Sequence, residues 1–346
     1  MHSRKMGQWV GVIALAIALY ILWQIRQLLL LAFTAVVLAT AIDQLVQQLQ
    51  RWRLKRSIAV FLSVAIVLVL LIGIFALIVP AFVQQLQELV DLVPEGLSQI
   101  QTGINWLEDR VIGPNAPEIP DATGFIRQLQ PLGTNLLQRA TDIFSNSVSF
   151  LLNALLVTVL TLMLLIDPQP YRKVLIRLFP SFYRDRIGDI LTRCASGLGA
   201  WIKGALFEMA FIGILSGLGL WLLGVPLALA HAVLAGVLNF IPNVGPILSA
   251  VLPMSIGFLD APWKAVAVLV LYVVIQNVES YLLTPIIMAN QVALLPAITL
   301  ISQLFFASFF GALGLVMALP LTVVAKVWIE EVLFKDILDK WQQPSS

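Results

Sequence analysis

A single carboxylate lies deep inside one of the apolar segments of the chain. Glu279 falls in the segment from Trp263 to Leu283. At 100° per residue of a helix, Gln276 and Ser280 share about a third of the circumference with it, and Asn277 lies beside them. An ionisable side chain is costly in hydrocarbon, so we expect Glu279 to face a wet interior and to bind a proton, a cation or the hydroxyls of a solute. The alternatives are a structural hydrogen-bond anchor, or a residue in ordinary water at the end of its helix.

Two other titratable residues lie in apolar surroundings. Glu208 is a second candidate for the same pathway, unless it forms an ion pair with Lys203. His231 would relay protons or act as a neutral histidine at a helix contact. The chain has one cysteine and no phosphate-binding loop, HExxH or GxSxG motif. We therefore predict no metal, no cofactor and no enzymatic activity, and any pumping must use an ion gradient or a partner.

A break in the apolar sequence separates two short segments, 226–240 and 246–259. Each has about fifteen residues and would rise about 22 Å, against a hydrocarbon core of about 30 Å. They predict a re-entrant hairpin with Asn239 and Asn243 at its tip and a hinge formed by Pro242, Gly245 and Pro246. The prolines should deny the tip regular hydrogen bonds, which is tolerable only inside protein or beside water, so the asparagines and freed carbonyls would face a cavity at mid-membrane.

A second weak pair of apolar segments follows, 295–310 and 313–327. Pro285 and Pro296 precede or begin this pair, and Gly311 and Gly314 mark its turn. The two segments are either full spans or a second re-entrant hairpin. Broken apolar segments of this kind are typical of transporter binding sites.

The composition excludes a soluble protein. Of the 346 residues, 60% are hydrophobic and only 12% are charged, and several apolar runs approach the roughly 20 residues that span a bilayer. The runs are continuous, unlike the alternating strands of a membrane β-barrel. We predict an all-α polytopic membrane protein with about eight transmembrane helices, counting re-entrant hairpins, plus an external amphipathic helical arm.

The first 80 residues predict several membrane helices. Segments 9–23 and 28–42 should form a tight helical pair joined by a turn at 24–27, with the first helix retained rather than cleaved as a signal peptide. Residues 43–56 predict an amphipathic helix on the cytoplasmic surface. Its four basic residues are more typical of that position than of nucleic-acid binding, so we expect no nucleic-acid partner. A clean span follows at 57–79.

Charge predicts the orientation in the membrane. The arm at 81–147 carries three Lys/Arg and eight Asp/Glu, whereas segments 43–56 and 167–203 together carry eleven Lys/Arg. The positive-inside bias places the arm outside and both termini in the cytoplasm, in the cell (inner) membrane. The predicted regions are N-terminal helices at 1–80, the arm at 81–147, a span and basic segment at 148–204, a transport core at 205–330 and a cytoplasmic tail at 331–346.

Several stretches together resemble the AI-2E family of autoinducer-2 exporters and related permeases. They include FPSFYRDR at 179–186, GAWIKG at 199–204, the hairpin sequence ending NFIPNVGP, IQNVESYLLTP, and LLPAITL followed by GALGLVMALPL. The resemblance implies a homo-oligomer such as a pentamer, with a scaffold of early helices and a mobile part that moves as an elevator. It also implies that Glu279 and Gln276 form the family's Gln-x-x-Glu motif, and that Pro242, Gly245 and Pro246 form its Pro-x-x-Gly-Pro motif.

Three functions follow from this reading. The first is export of a small polar metabolite such as autoinducer-2, a quorum-sensing signal, and this identity comes from the resemblance alone. The second is sodium/proton antiport, which has also been attributed to the family. The third is a non-transporting membrane scaffold that recruits partners through the arm. The expected partners are membrane lipids, a small polar solute, H⁺ or Na⁺, and further copies of the chain.

Overall fold

The chain is mostly helical in the part that the computed structural model describes, which is residues 16–17, 19–78, 80, 147–283 and 295–339. Within those ranges no strand occurs. In chain order the helices are α1 Arg26–Arg51, α2 Arg56–Ile78, α3 Ser147–Ile166, α4 Gln169–Arg177, α5 Arg184–Leu222, α6 Ala228–Leu238, α7 Val244–Asp260, α8 Pro262–Val278 and α9 Pro296–Trp328. Wider π-helical turns continue α8 over Glu279–Leu283 and α9 over Ile329–Leu338.

Five helical stretches of the described residues are long and apolar enough to cross a membrane, and a sixth arises if α3 and α4, which meet at 96°, form one broken span. Helices α6 and α7 are apolar but shorter. The prediction of an all-α polytopic membrane protein is therefore confirmed. The arm at 81–146, Pro285 and the tail from residue 340 lie outside the described residues.

The chain divides into two compact units. The first contains residues 1–67, 152–204 and 288–346, and the second contains residues 68–151 and 205–287. Helix α5 contributes its first half to the first unit and its second half to the second.

Helix α1 begins within the joint that was predicted at 24–27. Ile25 is a turn residue with φ −93° and ψ 7°, so the preceding helical stretch ends at Gln24 and α1 starts at Arg26. The N–H of Ile25 bonds to the carbonyl of Ile21 at 3.0 Å, the N–H of Leu29 bonds to Ile25 at 3.0 Å, and Arg26 lies over the ring of Trp23, so the turn is tight. The amphipathic segment from residue 43 is not a separate helix, because its residues up to Arg51 form the last turns of α1.

In the first unit, α9 is broken at Gly311. This residue has φ +65° and ψ −147°, a conformation open to glycine. A Cβ at Gly314 would collide with the carbonyl of Phe306, although eight residues span about 12 Å in a straight helix. The chain therefore turns sharply here, and the predicted break between the segments ending at 310 and beginning at 313 is confirmed.

The first unit also contains a network of charged side chains between α5 and the end of the described chain. Arg186 donates to Glu331 at 2.8 Å and to Asp336 at 3.1 Å, and the hydroxyl of Tyr183 donates to Asp336. Arg193 and Lys335 also pair with Glu331. Two residues of the FPSFYRDR motif, Tyr183 and Arg186, thus hold the π-helical continuation of α9 against α5.

In the second unit, α5 and α6 approach closely through glycines. A Cβ at Gly236 would lie 2.6 Å from the carbonyl of Met209, and one at Gly217 would lie 2.9 Å from the Cβ of Ala232. Gly213 and Gly217 form a GxxxG pair whose spacing predicts close helix contact, and both glycines do face Ala232. This contact fixes the short helix α6, which leads to the hairpin tip.

Helices α7 and α8 pack on the end of α5 in the same unit. Their apolar core is formed by Leu220, Val225, Ala250, Val268 and Tyr272. The hydroxyl of Tyr272 donates to the carbonyl of Ser249 at 3.2 Å, which ties α8 to α7. Lys264 donates to Asp260 and, at 3.2 Å, to the carbonyl of Gly224. These contacts fix α8, whose last turn positions the carboxylate.

Candidate functional site

Glu279 lies where α8 widens. The α-helix ends at Val278, and Glu279–Leu283 form a π-helical turn. Single π-helical turns inside helices are uncommon and are frequent at functional sites. The side chain of Glu279 is buried, with 9% of the residue exposed. The widened turn therefore directs a carboxylate into the protein at a point where the sequence is otherwise apolar.

Two amides hold the carboxylate of Glu279. The Nδ2 of Asn239 donates to Oε1 at 3.2 Å, and the Nε2 of Gln276 donates to Oε2 at 3.0 Å. Asn239 comes from the end of α6, whereas Gln276 lies one turn before Glu279 on α8. Each carboxylate oxygen thus has a neutral donor from a different element, and the two bonds orient the carboxylate without cancelling its charge.

Asn239 has an acceptor left over. The residue is only 3% exposed, and its Oδ1 is buried without a hydrogen-bond partner. Because the carboxylate accepts hydrogen bonds, the amide must turn its nitrogen toward Glu279 and its oxygen away. A buried polar atom without a partner is rare and calls for an explanation. The acceptor suits a solute hydroxyl, a water or a hard cation.

The hairpin tip that carries Asn239 is compact. The N–H groups of Ile241 and Gly245 bond to Leu238 and Ile241 at 2.9 and 2.8 Å, and Val244 bonds to Pro242 at 2.8 Å. Residues 239–243 are not helical, as the prolines predicted, and successive tight turns instead supply partners for these N–H groups. A Cβ at Gly245 would collide with the carbonyl of Leu238, so glycine is required there.

Three predicted site residues are exposed. Asn277 is exposed and donates to the carbonyl of Val273 at 2.7 Å. Ser280 and Asn243 are also exposed, and Asn243 adopts φ +66°, which suits an asparagine in a turn. The structure thus gathers Glu279, Gln276 and Asn239 in a buried cluster to which Asn277 and Ser280 do not belong.

Glu208 lies on α5, near enough to Glu279 for their charges to interact. The same unit contains His231, which is 2% exposed on α6. Lys264 is the one Lys or Arg between residues 205 and 283, and it is bonded to Asp260. Across the described residues no group of three or more His, Cys, Asp or Glu could hold a metal ion.

The sequence reasoning missed one residue beside the site. Tyr272 lies four residues before Gln276 and seven before Glu279, a spacing that puts all three on one face of a helix. Its bond to Ser249 ties α8 to α7, the outgoing helix of the hairpin. The spacing of the tyrosine was a usable signal, whereas its partner, a backbone carbonyl, leaves no trace in a sequence.

The chain is similar to known transport proteins over most of its length. The model of the AI-2E family transporters matches residues 12–334. The chain is 26% identical to "AI-2 transport protein TqsA" of Escherichia coli (strain K12), covering 86% of this chain and 84% of that protein. It is 25% identical to "Putative transport protein YueF" of Bacillus subtilis (strain 168), covering 80% and 77%. It is also 25% identical to "Putative transport protein YhhT" of Escherichia coli (strain K12), covering 88% and 84%.

Proposed function

We propose that this chain, which belongs to the AI-2E family of transporters, is a secondary transporter that exports a small polar metabolite such as autoinducer-2. One similar protein carries AI-2 transport in its name. The observation that carries the proposal is the buried carboxylate of Glu279, held by Asn239 and Gln276 beside an amide oxygen that has no partner. A hydroxyl-bearing solute would donate to that oxygen.

The proposed mechanism couples the solute to the hairpin. Asn239 ends α6, so a solute bound at its Oδ1 contacts the hairpin directly, while Glu279 belongs to α8. Binding of a proton or cation at Glu279 would offset the cost of its buried charge and allow the loaded hairpin to move. Movement of the hairpin against a scaffold of early helices corresponds to an elevator, and we propose that it occurs within a homo-oligomer such as a pentamer.

Transport by reconstituted protein tests this function. Proteoliposomes containing the wild-type chain should accumulate or release a solute from a panel of polar metabolites, and Glu279→Gln and Gln276→Ala should lose most of that flux. Asn277→Ala is the matched control, because this neighbouring amide is exposed and lies outside the cluster. Equal flux in Gln276→Ala and Asn277→Ala would refute the role of the cluster. An unchanged cellular phenotype in Glu279→Gln would favour a non-transporting scaffold.

Sodium/proton antiport is the second candidate function. It is favoured by the oxygen chemistry of the site, because the carboxylate of Glu279 accepts a hydrogen bond from Asn239, whose buried Oδ1 has no hydrogen-bond partner. Carboxylate and amide oxygens are the ligands that hard cations prefer. Liposomes with an internal pH dye separate the two functions. A proton flux that follows added sodium, needs no metabolite and disappears in Glu279→Gln would establish the antiporter.

We further propose an inner-membrane location with both termini in the cytoplasm. The support is the excess of Lys and Arg in segments 43–56 and 167–203. Reporter fusions at the C-terminus and within the arm provide the test. A C-terminal fluorescent protein should be bright and an alkaline phosphatase inserted near residue 115 should be active, and the reverse pattern would overturn the orientation.

A further inference from the structure

The first unit contains a cavity of about 700 Å³, and Glu279 is not among the residues that line it. Helix α1 lines it with Asp43, Gln44 and Gln47, α2 contributes Arg56, and α5 contributes Ser196 and Lys203. The apolar part of the wall comes from Val36, Ala39, Leu164 and Leu165. Its volume lies in the range of about 300–1,000 Å³ that is usual for small-molecule sites.

Hydrogen bonds between helices fix the wall of the cavity. The Nε2 of Gln44 donates to the carbonyl of Gly199 at 2.8 Å, which joins α1 to α5. Arg56 donates to the carbonyl of Leu165 at 3.2 Å, which joins α2 to the end of α3. These hydrogen bonds join the four helices that line the cavity in pairs, so the cavity has fixed walls and is not a gap between loosely packed helices.

The charges that line the cavity favour an anion. The lining contains two cations, Arg56 and Lys203, and a single acid, Asp43. The carboxylate of Asp43 is 3.9 Å from Arg56, which is a weak ion pair, and it accepts a hydrogen bond from Gln47. None of the ion pairs among the described residues involves Lys203. The turn between α1 and α2 adds exposed basic side chains at Arg51, Arg53 and Lys55.

The position of the cavity favours a lipid over a soluble anion. Arg56 begins a membrane-spanning helix, and Leu165 lies at the end of the apolar helix α3, just before the chain bends by 96° into the polar helix α4. This change from apolar to polar helix is expected at the level of the headgroups. From there the apolar wall extends along α1 and α3 toward the interior of the membrane, as an acyl chain would. Basic pockets between transmembrane helices are known to bind the headgroups of anionic lipids.

We propose that this cavity binds the anionic headgroup of a phospholipid. The phosphate lies between Arg56 and Lys203, hydroxyls of the headgroup bond to Gln47 and Ser196, and one acyl chain lies along Val36 and Leu164. The lipid would stabilise the first unit at the point where α1, α2, α3 and α5 meet. This role is independent of the solute carried at Glu279.

Thermal unfolding of the delipidated, full-length protein tests the proposal. Phosphatidylglycerol should raise the unfolding temperature in a saturable way, whereas phosphatidylcholine should have a smaller, unsaturable effect. Lys203→Gln should weaken the apparent affinity for phosphatidylglycerol about five-fold, the effect of about one basic residue at an anionic membrane surface. Ser196→Trp, which fills the cavity while leaving its charges in place, should abolish the saturable effect.

Lys173→Gln is the matched control, because Lys173 is an exposed lysine of α4 that does not line the cavity. It should bind phosphatidylglycerol as the wild type does. An equal effect of the two lipids, or equal affinities in Lys203→Gln and Lys173→Gln, would overturn the proposal. Inorganic phosphate alone reproducing the shift would assign the cavity to a soluble anion. If Ser196→Trp changes the oligomeric state and leaves lipid binding intact, the cavity belongs to a contact between subunits and the proposal fails.

Discussion

Replacement of Asn239 by alanine separates a functional role of this amide from a structural one. The variant loses the donor 3.2 Å from Glu279 Oε1, and a hydrogen bond to a charged group contributes about 1.5–3 kcal/mol. It also loses the buried Oδ1 that has no partner, and removal of such an atom stabilises the folded protein by about 1–3 kcal/mol. The two effects oppose each other and are similar in size. We therefore expect the free energy of unfolding to change by less than about 1.5 kcal/mol.

Transport should respond differently. A solute hydroxyl that bonds to Oδ1 loses its acceptor in Asn239→Ala, and the carboxylate loses its orientation toward the hairpin. A loss of about 1.4 kcal/mol or more corresponds to at least a ten-fold loss of flux at limiting solute. The assay is flux per folded protein in proteoliposomes, with thermal unfolding of the same preparation and Asn277→Ala as the control. A variant that unfolds readily but transports normally when folded would refute the reasoning, because Asn239 would then be a structural anchor.

Three further predictions concern the fold, one in the second unit and two in the first. Gly245→Ala should lower the unfolding free energy by about 1–3 kcal/mol, because its Cβ meets the Leu238 carbonyl; Gly73→Ala, where a Cβ meets nothing within 4 Å, should not. Thermal unfolding measures both variants, and equal unfolding temperatures would contradict the close contact of Gly245 with the Leu238 carbonyl. Gly311→Ala should lower the free energy of unfolding by about 1–2 kcal/mol, because φ is +65° there. Chemical denaturation measures this change, and an unchanged midpoint would contradict the prediction. Glu331→Gln should lower the free energy of unfolding by about 2 kcal/mol, because it weakens the bonds to three cations. High salt should reduce the difference in unfolding free energy between the variant and the wild type.

Local patterns in the sequence predicted the parts of the site that lie on one element. Gln276 and Glu279 are three residues apart, so a helical period alone places them together. The break at residues 239–245 and the turn at Gly311 follow from proline and glycine, whose backbone preferences are local. The contact of Gly213 and Gly217 with α6 follows from their spacing.

The remaining features depend on partners far away in the chain. Asn239 and Glu279 are forty residues apart, and nothing in the sequence shows that the amide of Asn239 bonds to the carboxylate. The cavity beside Lys203 needs four helices, and no single segment shows it.

Two buried carboxylates in this chain are held in opposite ways. Glu331 lies 2.8 Å from Arg186 and 3.5 Å from Arg193, so fixed cations cancel its charge, and removing them would leave an uncompensated charge. The named partners of Glu279 are amides, which orient its oxygens and leave its charge in place. Carboxylates of the first kind serve structure, because their partners cannot leave. In the proposed transporter, a proton or cation that binds and leaves does at Glu279 what arginine does permanently at Glu331, and this exchange is what lets an ion gradient drive a solute.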